Sequence, residues 1–189
     1  MRIGITMMLL CFMWTTANAD WKLDKKSSSL SYVSIKNNEI GEINYFTNID
    51  ADIQMNGIFT MEVDLNSVTT RYELRDERMR KLFFETNKFA KASIKGRMPV
   101  KRVTMMSPGK VKRFKVRVML DLHGHQQEIE TELLIAKLAK NDFVAVTEQP
   151  ILLNVQAFDM TEGLKQLTEI AKLDSISWVV PVTFSLVFK

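Results

Sequence analysis

The chain has very few of the side chains that most enzymes and metal proteins depend on. Its only cysteine is Cys11 and its only histidines are His123 and His125. Residues 20–189 therefore hold neither a disulfide nor a thiol nucleophile, and they offer few bases near neutral pH. We predict no catalytic residue and no cofactor, and we expect the packed core to stabilise the fold.

The two histidines flank Gly124 between two alternating segments. Two ligands without a neighbouring cysteine, histidine or carboxylate cluster fall short of a metal site. We therefore predict no metal and expect a solvated turn, with chelation by the pair as the alternative. A hydrolase that depends on these histidines is a further alternative.

Long apolar runs are scarce as well, with one near the start of the chain. Arg2 precedes an apolar run over residues 3–14, and a stretch of small residues ends at Ala19. This run is too short to cross a bilayer as a helix, and the pattern is typical of a secretory signal. We predict that residues 1–19 are removed and that residues 20–189 form one periplasmic domain. An amphipathic anchor or a buried first helix is the alternative.

The chain lacks a strong excess of either charge: its 26 Lys and Arg residues only slightly outnumber its 22 Asp and Glu residues. The segment from Thr86 to Leu120 nevertheless holds no acidic residue. Its basic residues are Lys88, Lys91, Lys95, Arg97, Lys101, Arg102, Lys110, Lys112, Arg113, Lys115 and Arg117. Several alternate with apolar neighbours and predict a basic sheet face that could contact an anionic membrane surface. The alternative is a solvated face that prevents edge pairing. Nucleic acid is not predicted, because no binding motif accompanies the charge.

Apolar residues recur with a period of two along most of the chain, which is typical of antiparallel strands with one buried face. The last segment shows it in Trp178, Val180, Val182, Phe184, Leu186 and Phe188. Strands are predicted at 29–36, 42–54, 57–66, 91–105, 111–123, 127–138, 143–158 and 177–188. Segments 72–83 and 162–173 instead show helical spacing. We predict an all-β fold: a single antiparallel eight-stranded up-and-down barrel with two short helices.

Residues 66–96 carry a family resemblance. Thr70, Arg75, Asp76, Arg80, Phe84, Phe89 and Ala92 match by spacing a pattern of the YceI-like polyisoprenoid-binding proteins. Trp21, Leu23, Asp24 and Ser29 resemble that family's first strand, and Leu120, Leu122, Gly124 and Ile129 its central hairpin. Three positions depart from the family pattern, namely Asn37, Asn44 and Ala90.

The resemblance implies an exported, lipocalin-like barrel that holds a long apolar lipid without covalent chemistry. The ligand would be a polyisoprenoid, an isoprenoid quinone or a fatty-acyl lipid. Residues predicted to line the interior, mouth and lid are Phe46, Phe84, Phe89, Leu164, Leu167, Ile170, Trp178 and Phe184. The polar candidates are Thr70, Arg75, Asp76 and Arg80, whose alternative role is a hydrogen-bonded ion pair that anchors the first helix.

The sequence leaves open whether the barrel is hollow or filled. Seven of the twelve methionines lie between residues 55 and 119, and such flexible side chains suit an irregular apolar ligand as well as gaps in a core. The competing function is a lipid-free envelope protein whose basic face binds an acidic partner or a membrane surface. Association of two barrels also stays open.

Overall fold

The structure is a computed structural model that describes residues 21–189. The predicted signal at residues 1–19 lies outside the described residues, so its cleavage remains a prediction. The strands are β1 (Trp21–Lys22), β2 (Ser29–Lys36), β3 (Ile40–Phe46), β4 (Ile49–Ile53), β5 (Ile58–Asp64), β6 (Val68–Thr69), β7 (Lys91–Arg97), β8 (Val111–Leu122), β9 (His125–Lys137), β10 (Phe143–Thr147), β11 (Ile151–Asn154) and β12 (Val179–Phe188). The helices are α1 (Glu73–Arg78), α2 (Val100–Thr104) and α3 (Thr161–Ile170). Short helical turns lie at Leu65–Ser67, Met79–Phe83 and Val155–Phe158.

The strands form one antiparallel sheet that curls into a lipocalin-like barrel. Their hydrogen-bonded order is β1-β4-β5-β7-β8-β9-β10-β12-β2-β3-β6, and β11 also pairs with β12. The all-β class and the antiparallel barrel are confirmed. The prediction of eight strands is wrong, because the described part of the chain forms twelve. The longer strands follow the predicted up-and-down order, and the two-residue strands β1 and β6 are added beside β4 and β3.

Two of the four extra strands arise where long alternating segments break, and the other two, β1 and β6, lie outside the predicted strands. The predicted strand 42–54 breaks at Thr47, whose amide donates to the Ser67 carbonyl at 3.1 Å. The predicted strand 143–158 breaks before Pro150, which has no amide hydrogen to donate to the sheet. Inward-facing residues keep their parity across the second break, from Ala145 to Ile151. Across the first break the parity shifts, from Asn44 and Phe46 to Ile49.

Helices were predicted correctly at two places and missed at a third. α1 with the turn Met79–Phe83 occupies the first predicted helical segment, and α3 the second. The predicted strand 91–105 is instead β7 followed by α2. Two α2 residues three positions apart, Val100 and Val103, are both buried. That spacing is helical, but it is too short to compete with the alternation before it.

Helical segments cover both ends of the barrel. We call the end next to α1, the turn Met79–Phe83 and α3 the lid end. At the opposite end, which we call the base end, α2 packs next to Met98 and places Arg102 4.8 Å from the centre of the Phe114 ring. Of the residues that the structure describes, no helix is long and apolar enough to cross a bilayer.

The first strand closes the sheet at the base end. Trp21 pairs with Ile53 of β4, and the Leu23 amide donates to the Ala51 carbonyl at 2.9 Å. On its other side, the Lys22 amide donates to the Lys189 carbonyl at 2.9 Å. The segment from β1 to Asp24 therefore joins β4 to β12.

The long hairpin of β8 and β9 changes the expected charge of the outer surface. Arg117 on β8 forms ion pairs with Glu128 at 3.4 Å and Glu130 at 2.8 Å on β9. Lys115 stands opposite Glu132 in the register of the same pair. The cations of β8 thus lie beside an acidic row, which the sequence places in a different segment.

Candidate functional site

The barrel interior contains a cavity of about 200 Å³ whose exposed wall is entirely apolar. Every strand except β1 and β6 contributes to the wall, together with aromatic and methionine residues of the helical segments and loops. Wall residues include Leu30, Phe46, Met61, Phe83, Phe84, Val116, Leu133, Ala145, Phe158, Met160, Phe184 and Phe188. Among these are three of the predicted ligand-binding residues, Phe46, Phe84 and Phe184. The question left open by the sequence is settled in favour of a hollow interior.

Residue size explains where the cavity lies. At the base end Phe188 stacks on Phe143 with ring centres 5.2 Å apart, and it meets the edge of Phe59 at 6.5 Å. Higher in the barrel the inward positions Ala92 and Ala145 are small and line the space. The aromatic cluster seals the base, and the alanines leave room above it.

A second pocket of about 300 Å³ lies at the lid end. It is enclosed by β2, β3, α1, α3 and the segment that leads into β12. Four predicted residues line it, namely Thr70, Arg75, Leu164 and Leu167. Further polar lining residues include Ser34, Lys36 and Arg78, which the sequence does not single out, and Asn44, which departs from the family pattern.

The charges of this lid pocket are held by a defined network. Glu42 accepts hydrogen bonds from Lys36 at 2.5 Å and from Arg75 at 2.7 Å. The buried Asp76 accepts from the Thr70 amide at 2.6 Å. Arg75 and Asp76 therefore have different partners, and Asp76 fixes the start of the α1 segment through a backbone amide.

Tyr32 belongs to both the cavity and the lid pocket. Its ring packs against Phe46 with centres 5.6 Å apart. Its hydroxyl is buried and has no hydrogen-bond partner among residues 21–189. Burial raises the pKa of this hydroxyl, and the Asp76 carboxylate raises it further, while Arg75 acts in the opposite direction. Alternation on β2 places Tyr32 inward, but nothing in the sequence shows that its hydroxyl lies where the two spaces meet.

The remaining predicted residues line neither space. Phe89 packs on the His123 ring with centres 4.2 Å apart, and Arg80 pairs with Glu73 at 2.9 Å. Ile170 lies on the outer side of α3 and is 45% exposed. Trp178 precedes β12 and is 46% exposed, so the predicted inward alternation begins only after it.

The histidine turn differs from the solvated turn that the sequence suggests. His123 is buried, and its Nε2 lies 3.0 Å from Glu85 Oε2. Lys88, which bonds the same carboxylate, is the main reason why the pKa of Glu85 is lowered, and His123 adds to it. Within residues 21–189 no three His, Cys, Asp or Glu side chains converge on a metal site. His123 thus ties the β8–β9 turn to the loop after α1.

Comparison with known proteins identifies the family of this chain and solved structures with a similar fold. The family model of the YceI-like domain matches residues 21–188. The chain belongs to the YceI-like family. No curated protein sequence matches it. A solved polyisoprenoid-binding domain from Saccharophagus degradans, implicated in plant cell wall breakdown, is similar with 29% identity and a TM-score of 0.89. The alignment covers 91% of this chain and 99% of that domain.

A second similar structure is BcnA from Burkholderia cenocepacia, with 17% identity and a TM-score of 0.67. It covers 87% of this YceI-like chain and 98% of BcnA, and it supports the fold alone.

Proposed function

We propose that this YceI-like protein is an exported, non-catalytic carrier or sequestering protein for a long-chain apolar lipid. The ligand class is a polyisoprenoid, an isoprenoid quinone or a fatty-acyl lipid. The observation that carries the proposal is the apolar cavity inside the barrel. The similar domain from S. degradans, described as polyisoprenoid-binding, supports the same class of ligand.

The size of the cavity sets how much of the lipid chain is enclosed. An apolar cavity of about 150 Å³ holds one benzene ring, so the cavity of about 200 Å³ encloses on the order of eight carbons. Burial of these carbons supplies roughly 6 kcal/mol at about 0.8 kcal/mol for each one, and a chain of about fifteen carbons would extend beyond the cavity towards the lid pocket. Ordering costs of about 4 kcal/mol or more still leave a favourable free energy of binding.

Native mass spectrometry of protein purified from its own host tests the proposal. We expect a co-purifying lipid in the wild-type protein and a strong reduction in Ala145→Leu, which fills the cavity. Ala136→Leu is the matched control, because Ala136 lies on the other face of neighbouring β9. If repeated preparations carry no lipid and added fifteen-carbon lipids leave the melting temperature unchanged, the proposal is wrong.

Export is the second part of the proposal and depends on the predicted signal at residues 1–19. Intact mass measurement of the protein from the periplasmic fraction should give a chain that starts at Asp20. A cytoplasmic protein that retains residues 1–19 would contradict this part without affecting lipid binding.

Contact with an anionic membrane surface is the alternative function. The base end is the better candidate for this contact, because Arg113 and Arg117 of β8 are already paired with glutamates. Lys101, Arg102, Lys110 and Lys112 there form no ion pair among the described residues. Met105 beside them is 85% exposed. Sedimentation with vesicles of phosphatidylglycerol should be lost in Lys110→Glu/Lys112→Glu and retained in the control Lys165→Glu/Lys172→Glu. Equal sedimentation of both variants would exclude the base end as the contact.

A further inference from the structure

The lid pocket is polar on one side and opens beside an apolar cavity on the other. Tyr32, Phe83 and Val180 line both spaces, so the two lie against a shared wall. Because Phe59, Phe143 and Phe188 close the base end, we expect a lipid that fills the cavity with its chain to have its polar end at this wall. The lid pocket is the adjacent space that offers hydrogen-bonding groups.

The hydroxyl of Tyr32 has an unmet hydrogen bond at this wall. Tyr32 is 7% exposed, and its oxygen has no partner within residues 21–189. An unpaired buried hydroxyl costs free energy in the empty protein, and a ligand oxygen that accepts its hydrogen removes this cost. The hydroxyl therefore favours a ligand with an oxygen at the end of its apolar chain.

The charges around the lid pocket favour an anion. Lys36, Arg75 and Arg78 line it, whereas Glu42 and Asp76 are the carboxylates bonded to the lining residues. The single Glu42 carboxylate is shared by Lys36 and Arg75. Arg78 forms no ion pair in the described part of the chain. The cations thus exceed the carboxylates, and one guanidinium is available to a ligand.

We infer that the lid pocket binds the anionic head group of the lipid, with Tyr32 donating a hydrogen bond to a head-group oxygen and Arg78 pairing with its charge. This inference rests on the proposed function, since it assumes that the chain of the lipid occupies the cavity. The shared chemistry is an acid oxygen at the end of a single apolar chain. A prenyl phosphate and a fatty carboxylate both provide it.

The test measures the affinity of three probes with fifteen-carbon chains by titration calorimetry. Farnesyl phosphate and pentadecanoate represent the two anionic sources, and farnesene is the hydrocarbon without a head group. Tyr32→Phe and Arg78→Gln should each weaken the preferred anionic probe by about tenfold or more. Farnesene should bind all variants within about twofold, because its contacts are apolar.

Two control variants make the same chemical changes outside the lid pocket. Tyr45→Phe removes a hydroxyl that bonds Arg71 at 3.1 Å on the outer surface, and Arg71→Gln removes the charge of its partner. Both should bind every probe like the wild type. A larger loss for farnesyl phosphate than for pentadecanoate assigns the phosphate as the source, and the reverse assigns the carboxylate.

Two outcomes overturn the inference while the proposed function stands. In the first, Tyr32→Phe and Arg78→Gln leave the anionic probes unaffected. In the second, Tyr32→Phe weakens farnesene as much as it weakens the anions, so that the ring acts through packing alone. If neither farnesene nor the anionic probes bind the wild-type protein, the proposed function itself is wrong.

Discussion

Two buried side-chain groups have no hydrogen-bond partner among residues 21–189. As the pH rises, one of them should lower the free energy of unfolding and the other should raise it. One is the Tyr32 hydroxyl between the cavity and the lid pocket, and the other is the Lys137 amine at the base end. Lys137 Nζ lies 5.9 Å from the centre of the Phe143 ring, which is a weak substitute for a hydrogen bond. Burial raises the pKa of the tyrosine and lowers that of the lysine.

Tyr32→Phe should leave the empty protein as stable as the wild type or raise its free energy of unfolding by about 1–2 kcal/mol. The raised pKa means that the folded state keeps its proton when the unfolded chain releases it. The wild type should therefore lose stability as the pH rises above about 10, the ordinary pKa of tyrosine. Urea unfolding at pH 8 and pH 11 should show a smaller loss in Tyr32→Phe. An equal loss in both proteins would contradict the burial of the hydroxyl.

Lys137→Met should raise the free energy of unfolding by about 1–3 kcal/mol at neutral pH, because an apolar side chain replaces an unpaired buried amine. The lowered pKa makes the unfolded state bind more protons, so wild-type stability should rise with pH up to about 10.5. The variant should lack this rise. Urea denaturation from pH 7 to pH 10 measures both effects, with the exposed Lys140→Met as control. A destabilised variant would show that the amine has a favourable role.

At the scale of elements, alternation located most strands, but it could not locate the places where a strand ends inside an alternating run. β2, β8, β9 and β12 lie within two residues of their predicted bounds. α2 was missed because one helical turn carries too little pattern.

Only part of the candidate site could be predicted, because sequence patterns place single residues but not contacts between distant segments. Phe46 and Phe84 could be placed by parity or by family pattern, whereas the contact of His123 with Glu85 joins residues 38 positions apart.

The contact between α3 and the turn Met79–Phe83 depends on a glycine. A Cβ built on Gly163 would collide with the Leu82 carbonyl oxygen and lie 3.0 Å from Phe83 Cα. On helix propensity alone Gly163→Ala should stabilise α3 by about 1 kcal/mol. We expect instead a loss of about 1–3 kcal/mol, because neither backbone can give way easily. Thermal unfolding checks the sign, and Lys165→Ala on the exposed face of α3 should be close to neutral.

At the scale of the whole molecule, the barrel is held shut at the base end by contacts between the two ends of the described chain. Lys22 and Lys189 exchange backbone hydrogen bonds at 2.9 and 3.0 Å. Beside them, Asp24 pairs with the Lys189 amine at 2.5 Å and with the Ser27 hydroxyl at 2.9 Å. These bonds lower the pKa of Asp24 to about 2, the Lys189 bond most strongly.

Asp24→Asn should remove an acid-dependent part of this closure. Because the folded-state pKa of Asp24 is depressed, its contribution is present above the ordinary value of 3.8 and is lost as the pH falls towards 2. Circular dichroism of acid unfolding should show a shallower dependence on pH between 4 and 2 in the variant. Asp52→Asn, on the neighbouring strand β4, serves as control. Identical acid curves for the wild type and Asp24→Asn would contradict a role for this pair in closure.

The contacts of the segment from β1 to Asp24 with β4 and with the end of β12 also constrain the order of assembly. Contacts between residues 22 and 189 close a loop that spans nearly the whole polypeptide, and such contacts are the slowest to form. The hairpin of β8 and β9 needs only neighbouring residues and can be complete long before that. A fragment that ends before Phe188 would consequently remain an open sheet whose apolar inner face is exposed to water. Shielding of that interior, whether for storage of a lipid or against aggregation, begins only after β12 has been synthesised.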